Sequence, residues 1–399
     1  MSRPPLDLAT AVAEATPALV ALRRDLHQHP ELSFQEHRTA ALIAERLHAA
    51  GLAVREGVGG TGVVGLLEGG ADGRTVAIRA DIDALPIQEA DDRPYRSVNP
   101  GVMHACGHDG HVAVAVTIAE ILARHRAALP GHVKFIFQPA EETAGGAERM
   151  IAEGVLEAPR VDAVLGMHIW TYVPVGHVAV RAGPIFASAD ELNVTVRGRG
   201  GHGAMPHQTV DPVVVAAHLI TAWQTLVSRE TPPLETAVLT MGMIHGGTAF
   251  NVIPERVDLR GTLRAFDPAL RERLLDRLRA MSHDLAAAFR AEVEITSRLG
   301  CQAVINDSGI TEIVRRAAAA ELGAEAVEDT PGTTGGDDMA DFLAERPGCY
   351  FFVGGANPAR GLDEPHHNWR FDFDEAALGV AARVLMRAAL DVLARPAAG

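Results

Sequence analysis

Strands and helices alternate along the first part of this 399-residue chain, and the alternation then stops and later resumes. Apolar runs of strand length, such as Thr61 to Leu67 and Thr75 to Asp81, are separated by helical segments such as His111 to His125. Strands that alternate with helices are typical of an α/β fold with mostly parallel pairing. The pattern therefore predicts an α/β domain with a mostly parallel sheet, whose first part covers residues 1–185.

A different pattern occupies residues 186–299. An alternating strand from Asp190 to Arg197 precedes a helix, two strands, a long helix and a last strand. The order β-α-β-β-α-β is that of a ferredoxin-like unit. Helix–strand alternation resumes at about Gly309, so residues 300–399 are expected to complete the first domain, with the ferredoxin-like domain inserted as a possible lid. Two domains also agree with a chain longer than a single core usually supports.

The segment from Met103 to His111 reads M-H-A-C-G-H-D-G-H. Cys106 and His108 are ligand types that suit zinc, and also manganese, cobalt or nickel. Gly107 and Gly110 let the backbone turn tightly enough for neighbouring side chains to converge. The alternative is a polar loop before a helix whose histidines are only hydrogen-bonded.

Other polar clusters stand where predicted strands or loops end, where ligands of open α/β sheets collect. Taken singly, a glutamate pair can be a solvated helix start, and a histidine after an apolar strand is more often a satisfied core residue. Adjacent carboxylates can also divide two tasks, one as metal ligand and one as general base. Several clusters in one domain predict a functional site. They are R-A-D-I-D with Asp81 and Asp83, F-Q-P-A-E-E with Glu141 and Glu142, G-M-H-I-W with His168, and E-P-H-H-N-W-R with His366 and His367.

The insertion has a polar set of its own. His202 lies in the glycine-rich stretch G-R-G-G-H-G, Asn251 precedes a strand, and Arg264 ends the stretch R-G-T-L-R. An amide and a guanidinium are good partners for a substrate carboxylate. Turn residues and a surface arginine are the alternative explanation.

Charge and composition restrict the partners and the compartment. A net charge of −15 without a basic run argues against nucleic acid, and no apolar run is long enough for a membrane span. The N-terminus M-S-R-P-P-L-D-L lacks the pattern of a secretory signal. Three cysteines do not make a disulfide framework. A cytoplasmic protein with Cys106 available as a thiolate is predicted.

Together these motifs resemble the zinc-dependent aminoacylase and carboxypeptidase-G-like family, over almost the whole chain. The narrower similarity is to its branch of hippurate hydrolases, N-acetyl-amino-acid deacetylases and auxin-conjugate hydrolases. The stretches that carry the resemblance are R-R-D-L-H-Q-H-P-E-L-S (Arg23 to Ser33), R-A-D-I-D-A-L-P, M-H-A-C-G-H-D-G-H, F-Q-P-A-E-E, G-G-H-G-A-M-P-H and H-N-W-R-F-D-F-D-E. Trp369 stands where many relatives have proline, and the choice of His367 over His366 follows the spacing to Phe371 and Glu375.

The resemblance implies a centre of two divalent ions (Zn, Mn, Co or Ni) per subunit. Glu141 matches the general base, Asp83 the residue that orients a metal-binding group, and His202 the histidine that stabilises the oxyanion, in cis or across a dimer. Asn251 and Arg264 match residues near the substrate carboxylate. The residues that match the metal ligands are Cys106, His108, Glu142, His168 and His367.

The implied activity is metal-dependent hydrolysis of N-acyl amino acids by a homodimer or higher homo-oligomer joined through the lid. A dipeptidase or carboxypeptidase of the same family is the alternative within this class. A metal-binding protein without turnover would lack Glu141, which is present. A cysteine-nucleophile hydrolase would need Cys106 free of metal.

Overall fold

The computed structural model describes residues 7–90 and 93–395, which form two compact units. The first unit contains the described residues up to Ile185, together with Ile305–Pro331 and those from Asp338 onward. The second unit contains Phe186–Val304 and Gly332–Asp337. In the described part of the chain, no helix is both long and apolar enough to cross a membrane.

Helices and strands are numbered in chain order. The helices are α1 (Leu8–Gln28), α2 (His37–Ala49), α3 (His108–Arg124), α4 (Gly146–Ala152), α5 (Pro212–Thr225), α6 (Pro268–Ala288), α7 (Ser308–Leu322), α8 (Met339–Glu345) and α9 (Ala376–Leu393). The strands are β1 (Ala53–Val58), β2 (Gly62–Leu67), β3 (Thr75–Asp81), β4 (His132–Gln138), β5 (Ala163–Pro174), β6 (Val178–Ala179), β7 (Gly183–Phe186), β8 (Ser188–Arg197), β9 (Gly201–His202), β10 (Ala237–Gly246), β11 (Val252–Ile253), β12 (Arg256–Ala265), β13 (Glu292–Cys301), β14 (Val304–Asn306), β15 (Val327–Glu328) and β16 (Gly348–Ala356).

The first unit is built on an eight-stranded sheet of order β1-β2-β4-β3-β5-β16-β6-β15. The central strands β4, β3, β5 and β16 pair in parallel, and the antiparallel pairs lie toward the edges. All seven residues of β3 are buried, as expected for a parallel strand covered on both faces. Helices α1, α3 and α9 pack together against this core. The predicted fold class is confirmed.

The second unit has a four-stranded antiparallel sheet of order β10-β12-β8-β13. Strand β8 alternates buried and partly exposed residues along its length, so one face of the sheet packs against α5 and α6. That core contains Leu219, Trp223 and Leu274. The order of strands and helices is the predicted ferredoxin-like arrangement.

Helix α3 begins three residues earlier than the sequence pattern indicated. Gly107 precedes it with φ +93°, a conformation that favours glycine. Asp109 lies in the first turn, where a negative charge interacts favourably with the helix dipole. The earlier start places His108 within the helix and fixes its backbone.

Candidate metal centre

The candidate site lies where the central strands of the first unit end. Asp81 is the last residue of β3, and Glu141 and Glu142 follow the end of β4. His168 lies within β5, which continues to Pro174, and not at its end as the sequence indicated. Because parallel strands end at one edge of the sheet, these side chains meet there.

Cys106, His108 and His168 form one potential ligand group, called the inner group below, with ligand atoms within 4.8 Å of one another. The Cys106 Sγ atom is 3.5 Å from Nε2 of His168. His108 Nδ1 lies 2.9 Å from the backbone carbonyl of Asp83, and His168 Nδ1 lies 2.7 Å from that of Ile169. Both carbonyls require an N–H at Nδ1, which leaves the Nε2 lone pair of each ring available as a ligand.

Cys106, Glu142 and His367 form a second group, called the outer group, with the same spacing limit of 4.8 Å. Nε2 of His367 is 3.4 Å from a carboxylate oxygen of Glu142. The backbone N–H of His367 donates to the carbonyl of Ala105 at 2.8 Å, so the two ligand-bearing segments are joined beside Cys106. His367 has φ +64°, an uncommon conformation for a residue with a β-carbon.

His366 is directed elsewhere. Its Nε2 lies 3.0 Å from the carbonyl of Ile169, which also accepts from His168. Burial lowers the pKa of His366 to about 3, so the ring is neutral. The geometry therefore favours His367 over His366 as the ligand.

The turn that carries the glutamate pair is fixed by carboxylates. The two oxygens of Asp83 accept the backbone N–H groups of Glu141 and Glu142, each at 3.1 Å. Glu36 accepts the N–H of Ala140 at 2.9 Å, and Ala140 has φ +53°. Asp83 thus orients the glutamate turn through its side chain and His108 through its backbone. A Glu141 oxygen lies 3.9 Å from Nε2 of His108.

The sequence assigned no role to His111, the third histidine of the motif. Its Nδ1 lies 2.6 Å from Asp81, and its Nε2 accepts the N–H of Ile169 at 3.0 Å. Both nitrogens are engaged, so His111 supports β5 beside His168. Burial acts to raise the pKa of Asp81. The positive charges of the neighbouring His108, His111 and Arg79 outweigh this effect and hold that pKa well below its usual range. The only sequence signal for this support was the proximity of His111 to the ligand motif.

The residues fit a metal centre. Among the residues that the structure describes, Nε2 of His108 and Oε1 of Glu142 are buried and have no hydrogen-bond partner. Buried polar atoms without a partner cost free energy unless they bind something. Burial lowers the pKa of His108, but Asp81 and the other nearby carboxylates raise it to about 10. The same negative charges would favour a divalent cation in place of the proton on Nε2. A thiolate, imidazoles and a carboxylate suit borderline-soft divalent ions.

The other predicted site residues lie in the second unit. His202 is on β9 and Asn251 directly precedes β11; these strands pair, and the carbonyl of Asn251 accepts the N–H of Gly203 at 2.8 Å. Both side chains are exposed. Arg264 lies on β12 in the four-stranded sheet, opposite Ala189 and Val238. The unit brings His202 and Asn251 together and places Arg264 in a different sheet.

Comparisons with known proteins agree with the family resemblance that the sequence motifs indicate. A model of the peptidase family M20/M25/M40 matches residues 77–391. The chain is 38% identical over 390 residues to the N-acetyl-L-cysteine deacetylase of Bacillus subtilis, covering 98% of this chain and 90% of that protein. It is 42% identical over 301 residues to the N-acyl-L-amino acid amidohydrolase of Geobacillus stearothermophilus, covering 75% and 81% of the two chains. A solved structure of the Bacillus subtilis YXEP protein, described as a dinuclear metal binding peptidase, matches with a TM-score of 0.84 at 35% identity, covering 96% of this chain and 99% of that one.

Proposed function

Because this chain belongs to peptidase family M20/M25/M40, we propose that it hydrolyses the amide bond of N-acyl amino acids at a centre of two divalent ions. The observation that carries the proposal is the convergence of the inner and outer groups on Cys106. A side chain that belongs to both ligand sets would bring two ions close together, as the two-metal mechanism requires. The deacetylase and amidohydrolase relatives support the substrate class.

The two groups would hold one ion each, with the Cys106 thiolate common to both. Zinc, manganese, cobalt and nickel all suit these donors. When bound, such a pair supplies Lewis-acid activation of a water molecule and of the substrate carbonyl. A thiolate ligand also suits a reducing, cytoplasmic location, which is part of the proposal; the three cysteines form no disulfide.

Glu141 is the general base of the proposed reaction. Its carboxylate takes a proton from the attacking water as the new C–O bond forms at the amide carbon. It then gives that proton to the amide nitrogen as the C–N bond breaks, which releases a carboxylic acid and an amino acid. Asp83 accepts hydrogen bonds from the backbone N–H groups of Glu141 and Glu142 and so fixes the turn that carries both side chains, which supports separate roles for them.

His202, Asn251 and Arg264 complete the proposed set. His202 stabilises the charge that develops on the carbonyl oxygen, a contribution of about 3 kcal/mol for a well-placed donor. Asn251 and Arg264 bind the carboxylate of the amino acid portion. We propose that His202 acts either within its own chain or across a dimer.

Substitution of the two glutamates tests the assignment. Glu141→Gln keeps size and hydrogen bonding but removes the basic oxygen, so turnover should fall by roughly 10²–10⁴ while both metals stay bound. Glu142→Gln should instead lower metal affinity. The control is Glu148→Gln, an exposed glutamate six residues further on, which should change neither quantity. Turnover near wild type in Glu141→Gln with metal retained would refute the mechanism.

The substrate class is tested with a panel of acetyl, benzoyl and longer-chain N-acyl amino acids beside dipeptides of matched C-terminal residue. Higher kcat/KM for the N-acyl amino acids supports the proposal. Higher kcat/KM for the dipeptides would establish the dipeptidase alternative. Metal analysis of the same protein should approach two equivalents per chain.

We also propose a homodimer formed through the second unit. Strand β10 is an edge strand, and Met243 and Ile244 on it are 45% and 53% exposed. An open, apolar edge is a common interaction surface. Ile244→Lys should therefore shift the sedimentation of the protein toward a monomer, whereas Val98→Lys, at an exposed apolar position of the first unit, should not.

A further inference from the structure

The motif R-R-D-L-H at the end of α1 has no part in the mechanism above, yet it contains the buried cation Arg23. The Arg23 side chain is 0% exposed. Its Nε donates to Asp109 at 2.8 Å, and one terminal nitrogen donates to Asp372 at 2.7 Å. Phe373 covers the guanidinium, whose carbon lies 4.3 Å from the ring centroid.

The two carboxylates belong to the two segments that bear the proposed ligands. Asp109 directly follows His108 of the inner group, and Asp372 lies five residues after His367 of the outer group. Asp109 and Asp372 are themselves buried. Without Arg23, two buried carboxylates would lose their shared counter-charge, which is strongly unfavourable in a site of low dielectric. The segments would therefore move apart or take up water.

His27, one turn further along α1, strengthens the link to Asp109. Its two ring nitrogens lie 2.7 Å from Asp109 and 2.9 Å from Glu89. Both partners are carboxylates, so both nitrogens donate and the ring is a buried cation. Asp109 is consequently held from α1 by two residues. The described contact of Asp372 with α1 is the one with Arg23, and its other partners, Tyr95 at 2.7 Å and Arg93 at 3.4 Å, lie outside α1.

We propose that Arg23 is a positioning residue for the metal centre, which ties the segment of His367 to the segment of His108 and so sets the outer group. This inference rests on the proposed function, because it requires the two ligand groups. Residues that orient metal ligands typically change affinity or activity by about 10–100-fold when they are replaced. The effect should be unequal, because Asp109 keeps a link to α1 through His27 after Arg23 is removed, whereas Asp372 keeps Tyr95 and Arg93, which do not belong to α1.

The test is a titration of the metal-free full chain with Co²⁺, followed by the thiolate-to-metal and d–d absorption bands. Arg23→Met should weaken the binding step that involves His367 by about 10–100-fold and change the other step by less than about threefold. Arg23→Lys keeps the charge but not the planar fork, so it should fall between wild type and Arg23→Met. His367→Ala identifies which step belongs to the outer group.

Two controls separate positioning from general destabilisation. Arg24 is the neighbour of Arg23 on α1 and binds Glu375 at 2.8 and 2.6 Å. Arg46 binds Glu120 of α3 at 2.6 Å. Arg24→Met and Arg46→Met should leave both Co²⁺ steps within about twofold of wild type, even if thermal stability falls as much as in Arg23→Met.

A double-mutant cycle tests the route. If Arg23 acts through Asp372, the effects of Arg23→Met and Asp372→Asn on the outer step should be strongly non-additive. Equal weakening of both steps, an equal effect in Arg24→Met, or additivity in the cycle would overturn the inference. If Arg23→Met does not fold, Co²⁺ titrations of Arg23→Lys and Asp372→Asn test the inference in its place. A wild type that takes up two Co²⁺ ions but does not hydrolyse N-acyl amino acids would refute the proposed substrate and leave this inference intact.

Discussion

The first unit buries many arginines, histidines and carboxylates, whereas the second unit buries few charged groups, such as Asp190, beside a core of mostly aliphatic side chains and Trp223. Further buried polar groups, such as Arg79 and Asp81, support the proposed ligands of the first unit. In the second unit, His202 and Asn251 are on the surface. Under the proposed function, changes in the interior of the first unit should affect both activity and stability, whereas changes at His202 and Asn251 should affect activity alone. This contrast leads to predictions of decreasing size for variants of the two units.

The largest effect is expected at Cys106, the ligand common to both groups. Cys106→Ser should reduce metal content below one equivalent and turnover by more than about 100-fold, because a hydroxyl is a poor substitute for a thiolate. Cys349→Ala is the control, since burial raises the pKa of that thiol to about 12 and it lies in β16. Metal analysis and initial rates measure both quantities.

Labelling of Cys106 gives an independent check. A thiol reagent should react slowly with the metal-loaded protein and fast after chelation, because a bound thiolate is shielded. Equal rates in the two states would show that Cys106 is not a metal ligand. The inner and outer groups would then have no ligand in common.

An intermediate effect is expected at Arg264 in the second unit. Arg264→Ala should lower kcat/KM for N-acyl amino acids by about 10–100-fold, the usual range for a lost hydrogen bond to a charged group. It should matter much less for the corresponding amino acid amides, and thermal stability should stay near wild type. Equal losses on acids and amides, or a large fall in stability, would contradict the separation of function from stability in this unit.

The smallest effect concerns stability alone. Burial, with the carboxylate of Asp372 beside it, raises the pKa of Tyr95 to about 12. The folded value lies above the unfolded value of about 10. The stabilisation is therefore complete below pH 10 and is lost as the pH rises toward 12. Tyr95→Phe should cost about 1 kcal/mol of unfolding free energy below pH 10, and this difference should shrink above it.

Ser282→Ala in the second unit is the matched comparison. It removes the hydrogen bond from Trp223 Nε1 to Ser282 Oγ, which is 2.9 Å long, at a similar cost of about 1 kcal/mol. Neither group titrates in this range, so the cost should be the same at every pH. Chemical denaturation of both variants between pH 8 and 11 measures the difference. Parallel profiles would contradict the charge-dependent stability of the first unit.

Much of the architecture could be predicted because it depends on local periodicity. The alternation of strands and helices predicts the parallel sheet, and the β-α-β-β-α-β order predicts the fold of the second unit. The two-residue strands β6 and β15 at the sheet edge are too short for periodicity to reveal. The sequence pattern predicts too late a start for α3, because it does not show that Gly107 adopts a left-handed conformation.

The candidate site was predictable where ligand types cluster in sequence, as at Cys106 and His108. Its supporting contacts were not, because they join distant residues. Arg79 and Asp338 lie 259 positions apart and form a buried ion pair at 3.1 Å. The choice between His366 and His367 likewise depends on backbone geometry, with φ +64° at His367 directing that side chain toward Glu142.

The split of the first unit also has a consequence for biosynthesis. Cys106 and His108 precede the inserted unit, and His367 follows it. At about 5–20 residues per second, the ribosome needs on the order of ten seconds or more to make the intervening chain. During that time the thiol and its neighbouring imidazoles have no outer partner from the C-terminal segment. A nascent chain that stops after the insertion keeps Cys106 but lacks His367, so the proposed two-ion centre can be completed only on a chain translated through the segment that contains His367.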